Sequence, residues 1–171
     1  MTKVSSKGNL LIVGAGQYGQ VAREIAESMD CFEKISFLDD KHPDAVGRTD
    51  QYSEFAEQYP NAIVAIGRAE LRLSLTQQLR DAGYQIAALN SPMAYVSASA
   101  VIREGCVIEP MAVVHTESEI GECCFISAGA VVNHNCVIGS GCHIDCHATV
   151  KSNTVLGDQT KIDYGQVISN G

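Results

Sequence analysis

The chain has 171 residues, is 46% hydrophobic, and carries a formal charge of −8 with a pI near 5.0. That length gives one ordinary domain or two small ones with a real core, and so excludes wholesale disorder. The acidic balance argues against a nucleic-acid partner, which calls for a basic face. No apolar run approaches the ~20 residues of a membrane span.

The N-terminal stretch MTKVSSKGNLLIVGAG lacks a signal-peptide cleavage region, so a cytoplasmic protein is expected. The first half alternates strand and helix patterns. Leu10–Val13 reads as a short apolar strand, and GAGQYG as a Gly-rich turn. QVAREIAESM is an amphipathic helix, and Lys34–Leu38 is a second strand ending in Asp39 and Asp40. Asn61–Ile66 is a third strand, ELRLSLTQQLRDAG a second helix closed by glycine, and Gln85–Leu89 a fourth strand. Alternation of this kind predicts a parallel sheet with helical crossovers.

The turn has the form GxGxxG between strand and helix, and Asp39 follows 20 residues after Gly19. Its glycines let backbone approach a phosphate, and the helix N-terminus supplies partial positive charge. About 90 residues make only half of a dinucleotide fold, which suits a mononucleotide better than NAD. The competing readings of these residues are a plain tight turn, a solvated Asp39-Asp40 corner, and an NAD-dependent oxidoreductase.

At Asn90-Ser91-Pro92 the period changes. From Ala94 the chain divides into hexapeptides, AYVSAS, AVIREG, CVIEPM and onward to QVISNG. The third position is aliphatic in all 13 units, and the first is Ala, Cys, Ser or Thr in every unit but the last. No α-helix has period six, and such repeats specify a parallel β-helix with three flat faces per 18-residue coil. The division is therefore residues 1–90 and 91–171. Cys106, Cys124 and Cys142, spaced by one coil, and Cys136 are expected as small buried hydrophobes rather than metal ligands or nucleophiles. Cys123 and Cys146 fall outside that pattern. Seven cysteines without a secretion signal argue against a disulfide framework. A coil buries only its inner face, so a closed homotrimer with sites between neighbours is the expected assembly.

Taken together, LLIVGAGQYGQVAREIAES, SFLDD, IVAIGRAELR, NSPMAYVSASAVIREGCVI and VVNHNCVIGSGCHI resemble one family. This is the group of sialic-acid O-acetyltransferases and nucleotide-sugar N-acetyltransferases, including the bacillosamine and perosamine N-acetyltransferases. The resemblance covers nearly the whole chain. It implies a Rossmann-like α/β half-domain with a parallel sheet, followed by a left-handed parallel β-helix of hexapeptide repeats. It implies acetyl transfer from acetyl-CoA, without a metal, to an amine or hydroxyl of a sugar, with a UDP-linked 4-amino sugar preferred. His134 is implied as general base, and Gly141, His143 and Ser152 as acetyl-CoA-binding. Gly14, Gly16, Gln17, Gly19, Asp39, Asp40 and Arg72 are implied as nucleotide-sugar-binding.

Three departures stand out. Asn135 follows the base where the family carries a carboxylate, and Glu117, 18 residues before Asn135, is expected to supply it. Tyr18 replaces the family's histidine in the Gly-rich turn, and Arg68-Ala69 replace polar residues. The hexads run to Gly171, where relatives continue for further coils and a tail, so a short or truncated member with an incomplete CoA site is expected. His115 and His147 read as solvated. A zinc carbonic anhydrase on the same scaffold would need another histidine spacing, and a non-catalytic sugar-nucleotide-binding trimer would lack acetyl-CoA binding.

Overall fold

The structure, a computed structural model, describes residues 8–170. Residues 1–7, part of the stretch read for a signal segment, and Gly171, the end of the last hexad, lie outside it.

The first half is a parallel sheet in the order β2-β1-β3-β4, made of β1 (Gly8–Val13), β2 (Phe32–Leu38), β3 (Asn61–Val64) and β4 (Gln85–Ile86). The central strand β1 is apolar on both faces because helices cover both sides: Leu10, Leu11, Ile12 and Val13 are all buried. Helix α2 (Ala69–Asp81) covers one face with Leu79 against Leu11, Val13 and Val64. Helix α1 (Gln17–Ser28) covers the other with Ala22, Ile25 and Ala26 against Leu10, Ile12 and Phe37.

The expected fourth strand divides. Gln85–Ile86 stays in the sheet, whereas β5 (Leu89–Asn90) already pairs with Val107–Ile108 of the repeats. The β-helix thus starts two residues before the expected boundary. Crossing so quickly gives the two halves a common core, in which Leu89, Val107 and Phe125 pack into the α1 cluster. A 3-10 turn, Thr49–Glu54, lies where no element was expected.

From Tyr95 onward the chain forms 13 two-residue strands at hexad positions two and three, wound as a left-handed β-helix. They stack on three faces. The docking face carries β5, Val107–Ile108, Phe125–Ile126, His143–Ile144 and Lys161–Ile162. The second face runs from Tyr95–Val96 through Val131–Val132 to Val167–Ile168, and the third from Val101–Ile102 through Val137–Ile138 to Val155–Leu156. The third-position side chains fill the interior, where Ile108, Val114, Ile120, Ile126, Val132 and Ile144 are all 0% exposed. Each contributes about 1.5–3 kcal/mol relative to exposure. Cys106, Cys124, Cys136 and Cys142 are buried among them, as expected.

The sixth residue of almost every hexad takes a positive φ, from Gly105 (+74°) through Glu117 (+56°) and Asn135 (+57°) to Gly165 (+66°). This left-handed step makes the corner. It accounts for Cys123 (φ +57°), a corner residue buried against Thr76 of α2, with its thiol 3.3 Å from the Thr76 hydroxyl. Among the described residues no helix is long and apolar enough to cross a membrane.

Candidate active site

The Gly-rich turn leaves β1 at Gly14, whose φ of +100° a side chain would strain, and enters α1 at Gln17. It forms one wall of a cleft of about 540 Å³, with Asp39, Asp40 and Lys41 at the end of β2 and Ile66 and Leu71 opposite. Gly14, Gly16, Gln17, Asp39 and Asp40 all line it, so five of the seven residues expected at the nucleotide come together. No side chain caps α1, which leaves the first-turn N–H groups free for an anion, and a Cβ on Gly16 would meet nothing within 4 Å.

Asp39 braces the turn. Its Oδ2 accepts the Ala15 N–H at 2.8 Å, and its Oδ1 accepts those of Lys41 (2.9 Å) and His42 (3.0 Å). These bonds, Ala15's first, hold its carboxyl below the ordinary aspartate value. Asp40 fixes the neighbouring loop, its Oδ1 accepting both the N–H (3.0 Å) and the hydroxyl (2.8 Å) of Thr49.

The other two expected contacts are corrected. Gly19 is buried in α1 and lies outside the cleft. A Cβ there would come 2.1 Å from the Gly14 carbonyl oxygen, so this glycine permits close helix–strand approach. Arg72 is 0% exposed and is a strut between the halves. Its guanidinium donates to the carbonyls of Cys123 (2.8 Å), Ile66 (2.7 Å), Gly67 (3.0 Å) and Gly141 (3.0 Å), and rests 4.1 Å from the Phe125 ring centre. Burial lowers its pKa, and no carboxylate pairs with it among the described residues. Beside it Arg80 binds Glu104 and Glu122, a second bridge between α2 and the repeats that sequence reading missed.

His134, Asn135, Glu117 and Ser152 share one edge of the prism, between the second and third faces. His134 is exposed in the turn after Val131–Val132. The Asn135 N–H donates to the Thr116 carbonyl (3.0 Å) and the Asn153 N–H to that of His134 (3.1 Å), so coils register residue for residue. Ser152 therefore sits one coil above His134, and Glu117 one coil below Asn135, about 4.8 Å away along the stack. His115 is exposed at the same edge with its ring 5.9 Å from Tyr95, and His147 is exposed over Gly129.

Two further residues expected at acetyl-CoA lie away from that edge. Gly141 is buried under α2, its carbonyl taken by Arg72 and a Cβ there only 2.9 Å from Leu73 Cδ1. His143 is 8% exposed on the docking face under α1, with Nε2 3.2 Å from both the Tyr18 hydroxyl and Ser127 Oγ. Desolvation depresses its pKa, and the positive charge of Arg72 adds to that while Asp145 opposes it. Its outward second position could not reveal this, because only the docked half-domain buries that face.

Residues 9–79 match the PglD N-terminal domain, and residues 99–134 match the bacterial transferase hexapeptide (six repeats). The UDP-N-acetylbacillosamine N-acetyltransferase of Bacillus subtilis (strain 168) is 32% identical over 109 residues, covering 58% of this chain and 50% of that protein. The two matched segments stand in the order expected, a PglD-type N-terminal domain followed by hexapeptide repeats of the bacterial transferase type. The chain spans about half the length of the curated relative it matches. The acetyltransferase domain of PglB from Neisseria gonorrhoeae FA1090 is 29% identical to this chain with a TM-score of 0.89, over 93% of this chain and 81% of that one. The same domain in complex with acetyl coenzyme A superposes at 0.90, with 28% identity over 94% and 82% of the two chains. A Caulobacter crescentus perosamine N-acetyltransferase, at 23% identity and a TM-score of 0.81 over 94% and 88%, shares the fold.

Proposed function

We propose that the chain transfers an acetyl group from acetyl-CoA to the amine of a nucleotide-linked sugar, a UDP-linked 4-amino sugar in the first place, with His134 as general base. One observation carries the reading: a phosphate-accepting turn is mounted directly on an acyltransferase-type prism. Helix α1 opens the cleft with its uncapped N-terminus and packs its flank on Val107 and Phe125. The names of the Bacillus relative and of the gonococcal acetyl-coenzyme-A complex support the donor and the acceptor class. The nucleotide-type cleft favours a nucleotide-linked acceptor over free sialic acid.

In this mechanism the nucleotide occupies the cleft with its phosphates at Gly16 and the start of α1. An imidazole takes protons near neutral pH, so His134 accepts one from the acceptor amine as its nitrogen attacks the thioester carbonyl. The C–N bond forms, the tetrahedral adduct collapses, and the C–S bond breaks to release CoA as thiolate, which takes up a proton. Ser152 lies beside the incoming thioester, and Glu117 with Asn135 orients the imidazole. The His134 edge is opposite the face that carries the cleft, so the reaction calls for His134 of one protomer at the cleft of another, as a closed trimer provides.

A thermal-shift screen with UDP-, GDP-, dTDP- and CMP-sugars, with and without acetyl-CoA, tests the ligands. A UDP or dTDP compound should raise the melting temperature, and His134→Ala should keep that response while turnover falls by about 10²–10⁴-fold. Full turnover in His134→Ala, or no response to any sugar nucleotide, would sink the reading.

A further inference from the structure

Beyond the nucleotide cleft lies a second chamber of about 200 Å³, and Gln17 and Tyr18 line both. A ligand whose phosphates sit at Gly16 therefore has this chamber as a neighbour, across Gln17 and Tyr18 on the docking face. The far walls of the chamber include Glu109, Ser127, Asp145 and Tyr164.

Two carboxylates line it, two coils apart in the stack with Ser127 between them. Glu109 Oε2 accepts the Ala128 N–H at 3.0 Å, and the Ser127 hydroxyl also bonds this carboxylate. Asp145 is only 2% exposed; the Tyr164 hydroxyl bonds it, and the Cys146 N–H (3.3 Å), Lys161 Nζ (3.5 Å) and His143 Nε2 (3.7 Å) lie around it. The Lys161 ammonium lies closer to Asp163, at 3.1 Å, so its charge is divided. Burial pushes the Glu109 carboxyl above its ordinary value, and the charge of Asp145 pushes it further. A cation between the two would relieve that repulsion.

We infer that this chamber receives the sugar ring of the bound nucleotide sugar, and that Glu109 and Asp145 select a ring bearing an amine over one bearing a hydroxyl. The inference rests on the nucleotide-sugar reading of the adjoining cleft and names the residues that set its acceptor. An ammonium donates charge-assisted hydrogen bonds to both carboxylates, which a neutral hydroxyl does not match. The carboxylates hold the protonated amine. Before transfer the ammonium releases one proton to solvent, and the freed nitrogen lone pair attacks the thioester as the general base takes the second.

Calorimetry on the full chain separates the possibilities, with UDP, UDP-glucose and a UDP-linked 4-amino sugar as probes against wild type, Glu109→Gln and Asp145→Asn. Wild type should prefer the amino sugar to UDP-glucose. Each variant should bind UDP as wild type does, which also shows that it is folded, and its preference for the amino sugar over UDP-glucose should fall at least about tenfold. Wild type that binds UDP without preferring the amine, or variants that keep the wild-type preference, would overturn the inference and leave the nucleotide reading standing. Wild type that binds none of the three probes, nor GDP or dTDP, would remove the nucleotide reading and the chamber's role with it.

Discussion

His134 and His143 are nine residues apart in the chain and stand on opposite sides of the prism. The first is exposed on the edge between the second and third faces, and the second is sealed under α1 on the docking face. A single protomer cannot bring His134 to its own nucleotide cleft. Two defective variants should therefore complement each other. His134→Ala removes the proposed base, and Gly16→Glu sets a negative charge at the proposed phosphate site. Each alone should be inactive, whereas oligomers assembled from a 1:1 mixture should regain about a quarter of wild-type turnover. No recovery in oligomers shown by mass spectrometry to be mixed would place the whole reaction within one protomer.

The two glycines of the turn should separate binding from packing. Gly16→Ala meets open space, so chemical unfolding should change by less than about 1 kcal/mol. Its methyl group projects toward the proposed phosphate site, so nucleotide affinity should fall. Gly19→Ala forces a contact with the Gly14 carbonyl and should cost about 2–3 kcal/mol of stability. Equal stability losses in urea titrations of the two variants would contradict this division.

Arg72→Ala would strand the carbonyls of Cys123, Ile66, Gly67 and Gly141 and empty the space over Phe125. A loss of about 3 kcal/mol is expected. Arg72→Lys should recover little, because an ammonium lacks the planar fork that reaches these acceptors together. Denaturant titration of the two variants checks the order, and a lysine variant as stable as wild type would refute the strut.

His143 makes the junction of the halves sensitive to acid. Its pKa is lower in the folded protein than the ordinary 6.5 of the unfolded chain, so the unfolded state binds the proton more readily. Its contribution is complete above pH 6.5 and is lost as pH falls from there through the folded value. Glu109 runs the other way, because its raised pKa favours the folded state until pH climbs through that value. The melting temperature of wild type relative to His143→Gln should therefore decline from pH 7.5 to pH 5. A constant difference across that range would exclude the histidine as the cause.

Sequence alone located what periodicity and backbone chemistry control. The hexad rule named every inward aliphatic, and the glycines with Asp39 located the cleft, because those features are local. What it could not see is how the halves dock. Arg72, Gly141 and His143 lie where the half-domain meets the prism, and a residue pointing outward from a coil has no local mark of being covered. Arg72 in particular has the charge of a phosphate ligand, and only its four carbonyl partners identify it as internal. Glu109 and Asp145 share hexad position four with ordinary surface residues such as Arg103 and Lys151, and they become a pair only when α1 roofs them.

The register Val107–Phe125–His143–Lys161 advances 18 residues per circuit. Length changes in this half of the molecule therefore have a phase. Excising one hexad between Asn90 and His134 would leave flawless repeats and a filled interior, yet it would swing His134 a third of a revolution from its bearing. Only the gain or loss of whole circuits preserves the heading. This architecture can grow taller or shorter in steps of eighteen while His134 keeps its bearing.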